Sequence, residues 1–568
     1  MADLSTEADY DRLRVLDFFR VSDRAGAGWL GPAWMEAVRA DPTLAKARIT
    51  VDLVFGQDTV VRLATENVKV TSSVTGRDVI YLPQLQEEPE VSWTYTVGSG
   101  AADVQSASVQ VSVHLVQPAR IVAARRMLAG YGEVCLQIPG GDYEQRIVLL
   151  RGEMTGGLSF GGEEEILEVE LSDPKITADL IVPPWVADTD RHADLPEDWS
   201  GERYPMVFNG GTAIECIRVT TATGWPSGTS PSWLVCYGHG VTVDTVYVNG
   251  EEKASGSTDY PWAEVEAVDA LGTPYTELAF SFVATTWDDS DSVHATVTAT
   301  ESLHLVEIIQ RLVQDFSVLG SRGAHAPLFG RARGLLPDLR PLVVINASNA
   351  ADEAGILSFI EGTMLESYPM VSMVWQNGKY GPIVTDWRSP PTADLVAKSQ
   401  GAGAASVGQY PLIKRISAVQ EVSKEDLYNY FAVKYAYDPL AETFNGTVTR
   451  TPANDPSCRL SRDYAGARTY DTLESYLIQT AEEADYVIDW MVAHLSAASY
   501  YVEWEAFPWI FLFLVRGQTV WFTDPEFSWE AERATVETLE YVHGRAVVGL
   551  RVWPGRKRLA TLRGSSST

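Results

Sequence analysis

The chain is poor in cysteine and histidine, poorer in basic than in acidic residues, and lacks long apolar runs; each shortage removes a class of protein. Four cysteines in 568 residues, at Cys135, Cys216, Cys236 and Cys458, form no close pair, so they read as thiols of a reducing cytoplasm and not as a disulfide framework. A Cys216–Cys236 bridge stays open, but no spacing favours it. The eight histidines show no HxxxH or HxH spacing, and only Cys236 with His239 has a ligand-like separation. A tetrahedral zinc site needs a second such pair, so no metal ligands are assigned. With 44 Lys and Arg against 76 Asp and Glu, the formal charge of −32 opposes phosphate neutralisation and excludes a sequence-reading nucleic-acid binder. The longest strongly apolar run, Trp509 to Val515, is far short of the roughly 20 residues of a membrane span and reads as a buried strand. Met1 to Asp23 intersperses charges with short apolar pieces, unlike a signal peptide. No GxxxxGK[ST] sequence occurs, which removes the P-loop nucleotide site.

What is present is aromatic and alternating. The 17 Trp, 24 Tyr and 17 Phe favour strands over a helical bundle, and the length implies roughly three or four domains. Near the N-terminus Ile49, Val51, Leu53 and Phe55, then Val109, Val111, Val113 and Leu115, alternate with polar neighbours, the period of a half-buried strand. Pro118 opens a short helical pattern with Ile121, Ala124 and Leu128, and strands resume from Ile147 to Leu171. Towards the other end, strands around Ile416 to Tyr437 precede a longer helix from about Asp471, with Leu473, Leu477, Ala481, Ala484, Ile488, Met491 and Leu495 on one stripe. Strands follow at Tyr500, Val502 and Trp504. The two ends thus repeat an order of elements without repeating residues.

Between them the composition shifts twice. Asp173-Pro174 and the Pro- and Asp-rich stretch to Asp194 place a first boundary near residue 180. Residues 181–300 read as a small β domain, in which Asn249-Gly250 marks a type I′ hairpin turn. Residues 301–395 read as an α+β unit. One helix carries Leu305, Ile308, Ile309, Leu312 and Phe316; a second, after the candidate cap Asp352, carries Ile356, Ile360 and Met364; a hairpin turns at Asn377-Gly378. Ser389 to Gly408 reads as a flexible connection into the last module, residues 396–555, and 556–568 as a basic, Ser-rich flexible tail.

Three motifs resemble chemistry and fail on context. Gly157-Leu158-Ser159-Phe160-Gly161 matches GxSxG, but an alternating strand and no helix follows, so it reads as a hairpin turn. Gly26 to Gly31 matches GxGxxG with Asp52 downstream, yet the strands that follow do not alternate with helices, and Trp29 crowds the phosphate approach. Asp188, Asp190 and Asp194, and Asp288, Asp289 and Asp291, lack the Gly and terminal Glu of an EF-hand loop and read as solvated carboxylates. No catalytic, cofactor-binding or metal-binding residue is assigned. For a glycosidase, no one pair of carboxylates stands out.

The layout resembles the tail hub proteins of long-tailed bacteriophages. The resemblance is carried by Asp142-Tyr143 leading into Arg146 to Gly152 and the Glu165 to Pro174 strand; by Trp233 to Cys236 with Val246 to Gly250; and by Tyr428-Asn429-Tyr430, the Tyr464 to Tyr470 turn, the long helix, and Val515 to Asp524. It implies a mainly β, multidomain chain with α+β parts. Two tail-tube-like β-barrel modules, residues 1–180 and 396–555, each with a packed helix, would flank a small β domain and a small α+β domain. It also implies a homotrimer in the virion at the tail tip or baseplate, assembled in the host cytoplasm, in which six modules adapt a sixfold tube to a threefold tip. The implied partners are the distal tail or tail-tube protein above, the tape-measure protein in the lumen, and the central fibre or spike below. DNA would pass without specific binding through a channel whose carboxylates repel phosphate, and no cofactor, enzymatic activity or stable membrane insertion is implied. A β-rich glycoside hydrolase and a carbohydrate-binding receptor protein are the alternatives.

Overall fold

The computed structural model describes residues 48–55, 59–72, 75–91, 106–112, 130–137, 141–143, 146–154, 159–161, 166–172, 183–219, 232–255, 260–280, 291–317, 319–345, 355–376, 379–385, 393–397, 409–512 and 514–554. Within them the chain is mainly β, with several sheets and few helices. The expected helix from Pro118 and the GxGxxG segment at 26–31 lie outside the described residues.

The first terminal sheet has the strand order Val68–Thr71, Asp78–Pro83, Thr59–Ala64, Arg48–Phe55, Gly130–Gln137, Ile147–Met154, Ile166–Ser172, Ser106–Ser112. A short strand, Ser159–Gly161, pairs beside Ile166–Ser172. Alternation sends Ile49, Val51 and Leu53 into the apolar core and Thr50 and Asp52 to the opposite face.

The second terminal sheet runs Gln409–Leu412, Asp394–Ala397, Thr519–Asp524, Trp529–Val542, Arg545–Trp553, Tyr500–Ala506, Lys414–Arg415. Its two outermost strands are halves of one segment. Gln409–Leu412 bonds in parallel to Asp394–Ala397, and Lys414–Arg415 bonds to Tyr500–Ala506. Ile413 N–H donates to Glu505 O at 2.7 Å and Ile416 N–H to Glu503 O at 3.0 Å. The sheet therefore rolls until one segment holds both its edges. This split closure replaces the expected uninterrupted barrel, and the described strands of the first sheet stay open.

Between these sheets in chain order comes a sandwich of two four-stranded sheets, cored by Trp233, Val235, Cys236, Val246, Leu278, Phe280 and Val297. Its expected hairpin turn is present: Asn249 and Gly250 have φ of 51° and 77°, and Val248 pairs with Glu251, as a type I′ turn requires. The helix Leu305–Phe316 follows, started by His304, whose ring accepts from Val306 N–H while Glu307 accepts from His304 N–H, a reciprocal cap. A helix at Ala326–Leu335 carries too weak an apolar stripe to be read from sequence. The next helix begins at Ile356 after Gly355 and relaxes into a π turn at Ile360–Met364; Asp352 lies outside the described residues. Gln376 pairs with Lys379, which leaves two residues for the expected hairpin turn.

Three expectations are corrected. The connection from Ser389 to Gly408 contains an interior strand, Asp394–Ala397, because Leu395 and Ala397 supply two apolar side chains to the core. The run from Trp509 is a 3₁₀ turn at Pro508–Leu512, not a strand, consistent with the missing N–H of Pro508. The long helix is Ala481–Leu495, started by Thr480, whose hydroxyl accepts from Glu483 N–H at 3.2 Å; Leu473 belongs to a short strand instead. That helix also leaves its expected partner. Ile488 and Met491, with Phe431, Val433 and Ile478, share a core with Ile308, Leu312, Met373 and Trp375, so residues 428–495 pack mainly with the central α+β unit and meet the second sheet through His494, whose ring lies edge-on to Trp553.

Candidate functional site: the seam between the terminal sheets

The apolar faces of the two terminal sheets belong to one hydrophobic cluster, although more than 200 residues separate them along the chain. From the first come Ile49, Val51, Leu53, Val134, Leu150 and Val169; from the second, Leu395, Val502, Val520, Val536, Val548 and Leu550. Residues 84–91 staple one to the other. Leu85 N–H donates to Ala64 O at 3.1 Å, so the segment leaves the first sheet in register. Val91 then exchanges both backbone bonds with Tyr541, at 3.2 and 2.8 Å. The Tyr541 ring is fully buried beside Phe511, and its hydroxyl donates to Glu88 Oε2 at 2.7 Å. His543 and Glu90 face each other at 3.2 Å on the surface above.

On the faces turned away from this core, both sheets carry carboxylates paired with arginine. In the first, Glu133 accepts from Arg146 at 2.9 Å and lies 2.6 Å from Arg151. Arg146 stacks over the Tyr143 ring at 3.7 Å, and the Tyr143 hydroxyl donates to Asp52 at 2.9 Å. Burial pushes Glu133 up, but Arg151 and Arg146 more than offset it and hold it below the usual range. Burial wins at Asp52, which is raised despite Arg146. In the second sheet Arg551 donates to Glu537 at 2.5 Å and Arg545 to Glu505. Burial raises Glu537 despite Arg551. Tyr501 crosses above Gly549, donating to Glu503 at 2.9 Å.

The sequence motifs do not converge on a reaction centre. Ser159–Gly161 is a short strand paired with Ile166–Glu168, where a hairpin turn was expected. Asp52 is a buried member of the arginine network, far from ribose-binding geometry. Asp188 caps the turn at Arg191 N–H, and Asp190 and Asp194 are exposed. Asp291 accepts from Asn249 at 2.8 Å; Asp288 and Asp289 lie outside the described residues. His239 faces Glu266 and Ala267 O, while Cys236 is in the sandwich core. All four cysteines are free and buried. Among the described residues no group of three or more His, Cys, Asp or Glu is placed to hold a metal, and no helix is long and apolar enough to cross a membrane. A small cleft between the central unit and the second sheet, lined by Leu328, Arg331, Ile383, Val515, Arg516 and Gln518, presents neither a carboxylate nor a nucleophile.

A second polar cluster was missed by sequence reasoning. His192 Nε2 donates to the Tyr204 hydroxyl at 2.7 Å, which donates to Asp269 at 2.9 Å; Arg191 donates to Asp269 at 2.7 Å and Thr273 at 2.6 Å. Burial alone would raise Asp269, but the Thr273 N–H, Arg191 and Tyr204 bring it down to about 2. It latches residues 185–204 onto the sandwich, and the 77 residues between Arg191 and Asp269 hid the pairing.

No family model and no curated protein matches the chain. Solved structures similar to it include prophage and other tail proteins. The 43 kDa tail protein of prophage MuSo2 from Shewanella oneidensis is 10% identical over 89% of this chain and 98% of its own, with a TM-score of 0.35. A tail protein from Neisseria meningitidis MC58 is 7% identical over 89% and 97%, with a TM-score of 0.37. A chain of the virion of a native gene transfer agent particle is 15% identical over 66% and 89%, with a TM-score of 0.39. At these TM-scores the likeness is loose, and the functional reading rests on the chain's own geometry.

Proposed function

We propose that this chain is a structural, non-enzymatic protein of a phage tail: a homotrimeric hub at the tail tip or baseplate that adapts a sixfold tube to a threefold tip. The observation that carries the reading is the single hydrophobic core shared by the two terminal sheets. A core of that kind fixes two sheet modules in one relative orientation, so each chain acts as a pair of joined ring subunits. If the contact between chains imitates the contact within a chain, three chains close a ring of six modules. Functional weight then falls on interfaces, in keeping with buried arginine–carboxylate pairs that brace sheets and do not face a substrate. In this reading the tail-tube protein stacks above, the tape-measure protein occupies the lumen, a fibre or spike docks below, and an acidic channel lets DNA slide.

Native mass spectrometry and electron microscopy of the purified chain test it. The expected result is a ring with the mass of three 62.3 kDa chains. A stable monomer at micromolar concentration, with no ring in the micrographs, overturns the reading.

A further inference from the structure

In the first terminal sheet the strands Val68–Thr71 and Asp78–Pro83 supply no residue to the core shared with the second. Their pairing fixes which way the side chains face. Leu82 lies opposite Leu63, and Pro83 opposite Ala64, in a parallel pair, so Ile80 and Leu82 share a face with Leu63. Leu63 is a fully buried member of the shared core, whereas Ile80 and Leu82 are 57% and 43% exposed. Tyr81 points the other way, into the small cluster with Val68, Val70 and Tyr143. A strand pair with one face already packed ordinarily turns polar residues to the other. Here the other face leaves two large aliphatic side chains in water, next to an apolar core, and an exposed patch that extends apolar surface marks an interaction site.

We propose that this shelf of Ile80 and Leu82 docks on the second terminal sheet of a neighbouring copy of the chain, at the corner formed by Phe527. The contact rests on the trimeric reading above and gives it a surface. Within one chain the face that carries the shelf already takes a second terminal sheet as its partner, and Leu82 adjoins Leu63 at the margin of that contact. A neighbouring copy brings the same kind of sheet to the uncovered part. On that sheet Phe527 is 38% exposed and stacks on the core residue Trp529, with ring centroids 4.9 Å apart, so it too carries core surface out into water. Charge selects the same two places. Copies that each carry −32 repel one another, and they approach most easily where local charge cancels. On the shelf face the register places Lys69 beside Ile80 and Thr71 beside Asp78. Lys69 pairs with Asp78 at 2.7 Å, and Thr71 donates to Asp78 at 3.1 Å. Beside Phe527, Arg415 lies 5.0 Å from the ring and pairs with Glu526 at 3.1 Å. Each apolar group therefore has a rim whose ion pair is neutral. Because the shelf meets a surface unlike itself, the contact is heterologous, the kind that closes into a ring.

Hydroxyl-radical footprinting of the whole chain over a dilution series, with native mass spectrometry of the same samples, tests the contact. Ile80, Leu82 and Phe527 are expected to oxidise severalfold more slowly where the ring is assembled than where it has dissociated. The variants I80D/L82D and F527D change exposed positions, so amides of Arg48–Phe55 and Tyr500–Ala506 should keep their slow exchange and show that the fold is intact. Each variant should raise the concentration needed for half assembly at least about tenfold, because a carboxylate is then buried in an apolar contact. A ring that forms while these side chains stay reactive, or that persists in either variant to the same dilution, overturns the proposal and leaves the trimeric reading standing. Slow oxidation at every concentration also overturns it, by assigning the cover to the same chain. A chain that forms no ring at all overturns both.

Discussion

In the first terminal sheet Asp52, Glu133 and Arg146 are each less than a tenth exposed, covered by a small apolar cluster that includes Tyr81 and Tyr143. In the second, Glu505 and Glu537 are equally buried, but the side chains of their partners Arg545 and Arg551 are 63% and 27% exposed. The two sheets share a core and differ in what lies over their far faces. A sealed network must satisfy every charge internally, because the desolvation cost is recovered only by close pairing. A half-open one leaves its cations available to solvent or to a neighbouring protein. In the first sheet the common cation Arg146 is therefore enclosed with Glu133 and Asp52, while Arg151 and Arg62 reach the same carboxylates from side chains 25% and 35% exposed; in the second, among the described residues, no enclosed cation accompanies Glu505 or Glu537.

The largest expected effect lies in the seam that both sheets share. Tyr541→Ala removes a fully buried ring from the joint and should cost about 3–5 kcal/mol. Chemical denaturation should show the loss, and amides of both sheets should gain exchange together. If only the second sheet loosens, the seam does not couple them.

Next comes the contrast between the networks. Arg146→Met leaves Glu133 and Asp52 buried without their common cation and should cost about 3 kcal/mol or more. Arg551→Met, whose guanidinium already meets water, should cost only about 1 kcal/mol. Comparable costs for the two would erase the distinction between sealed and open faces.

The pH dependence sharpens it further and extends it to the middle of the chain. Glu133 is held below its unfolded value, so its contribution is present above the carboxylate range and lost as the pH falls through its lowered pKa. Asp52, Glu537 and Asp524 are raised by burial, so they weaken the fold as they ionise and favour it as the pH falls towards their unfolded values. The second sheet should consequently tolerate mild acid. Burial lowers His192, His294 and His304, and holds His325 down to about 4. The unfolded chain takes up these protons first, so the sandwich and central unit should lose stability as the pH falls from about 6.5 towards 4. Hydrogen exchange measured at several pH values should show the middle loosening before the second sheet. The reverse order would contradict the assignment.

Much of this arrangement was legible locally and little of it globally. Alternation at Ile49 to Leu53 and the Asn249-Gly250 turn each depend on neighbours in sequence, and both took the expected form. The strand Asp394–Ala397 was hidden because four residues among prolines and glycines have no periodicity to display; its pairing is supplied by Thr519–Asp524. The helix Ala481–Leu495 was visible, but its apolar stripe does not say which core it enters. The repeated order of elements at the two ends also concealed different wiring. Gly130–Gln137 pairs with the opening strand of its sheet, whereas Tyr500–Ala506 pairs with the last. The seam itself depends on Val91 meeting Tyr541, a match between residues 450 positions apart that no local signal encodes.

The smallest expected effect separates two explanations of that seam. Tyr541→Phe keeps the ring and the two backbone bonds to Val91, and removes only the hydroxyl that donates to Glu88 at 2.7 Å. A partly buried bond to a carboxylate contributes about 1 kcal/mol, so denaturation should register that loss while exchange at Val91 and Tyr541 stays slow. Hydrophobic burial then holds the sheets together, and the polar bond only orients residues 84–91. If Tyr541→Phe instead loosens both sheets as much as Tyr541→Ala, the joint depends on Glu88. The seam would then respond to salt and to acid, and the shared core would no longer account for two modules moving as one.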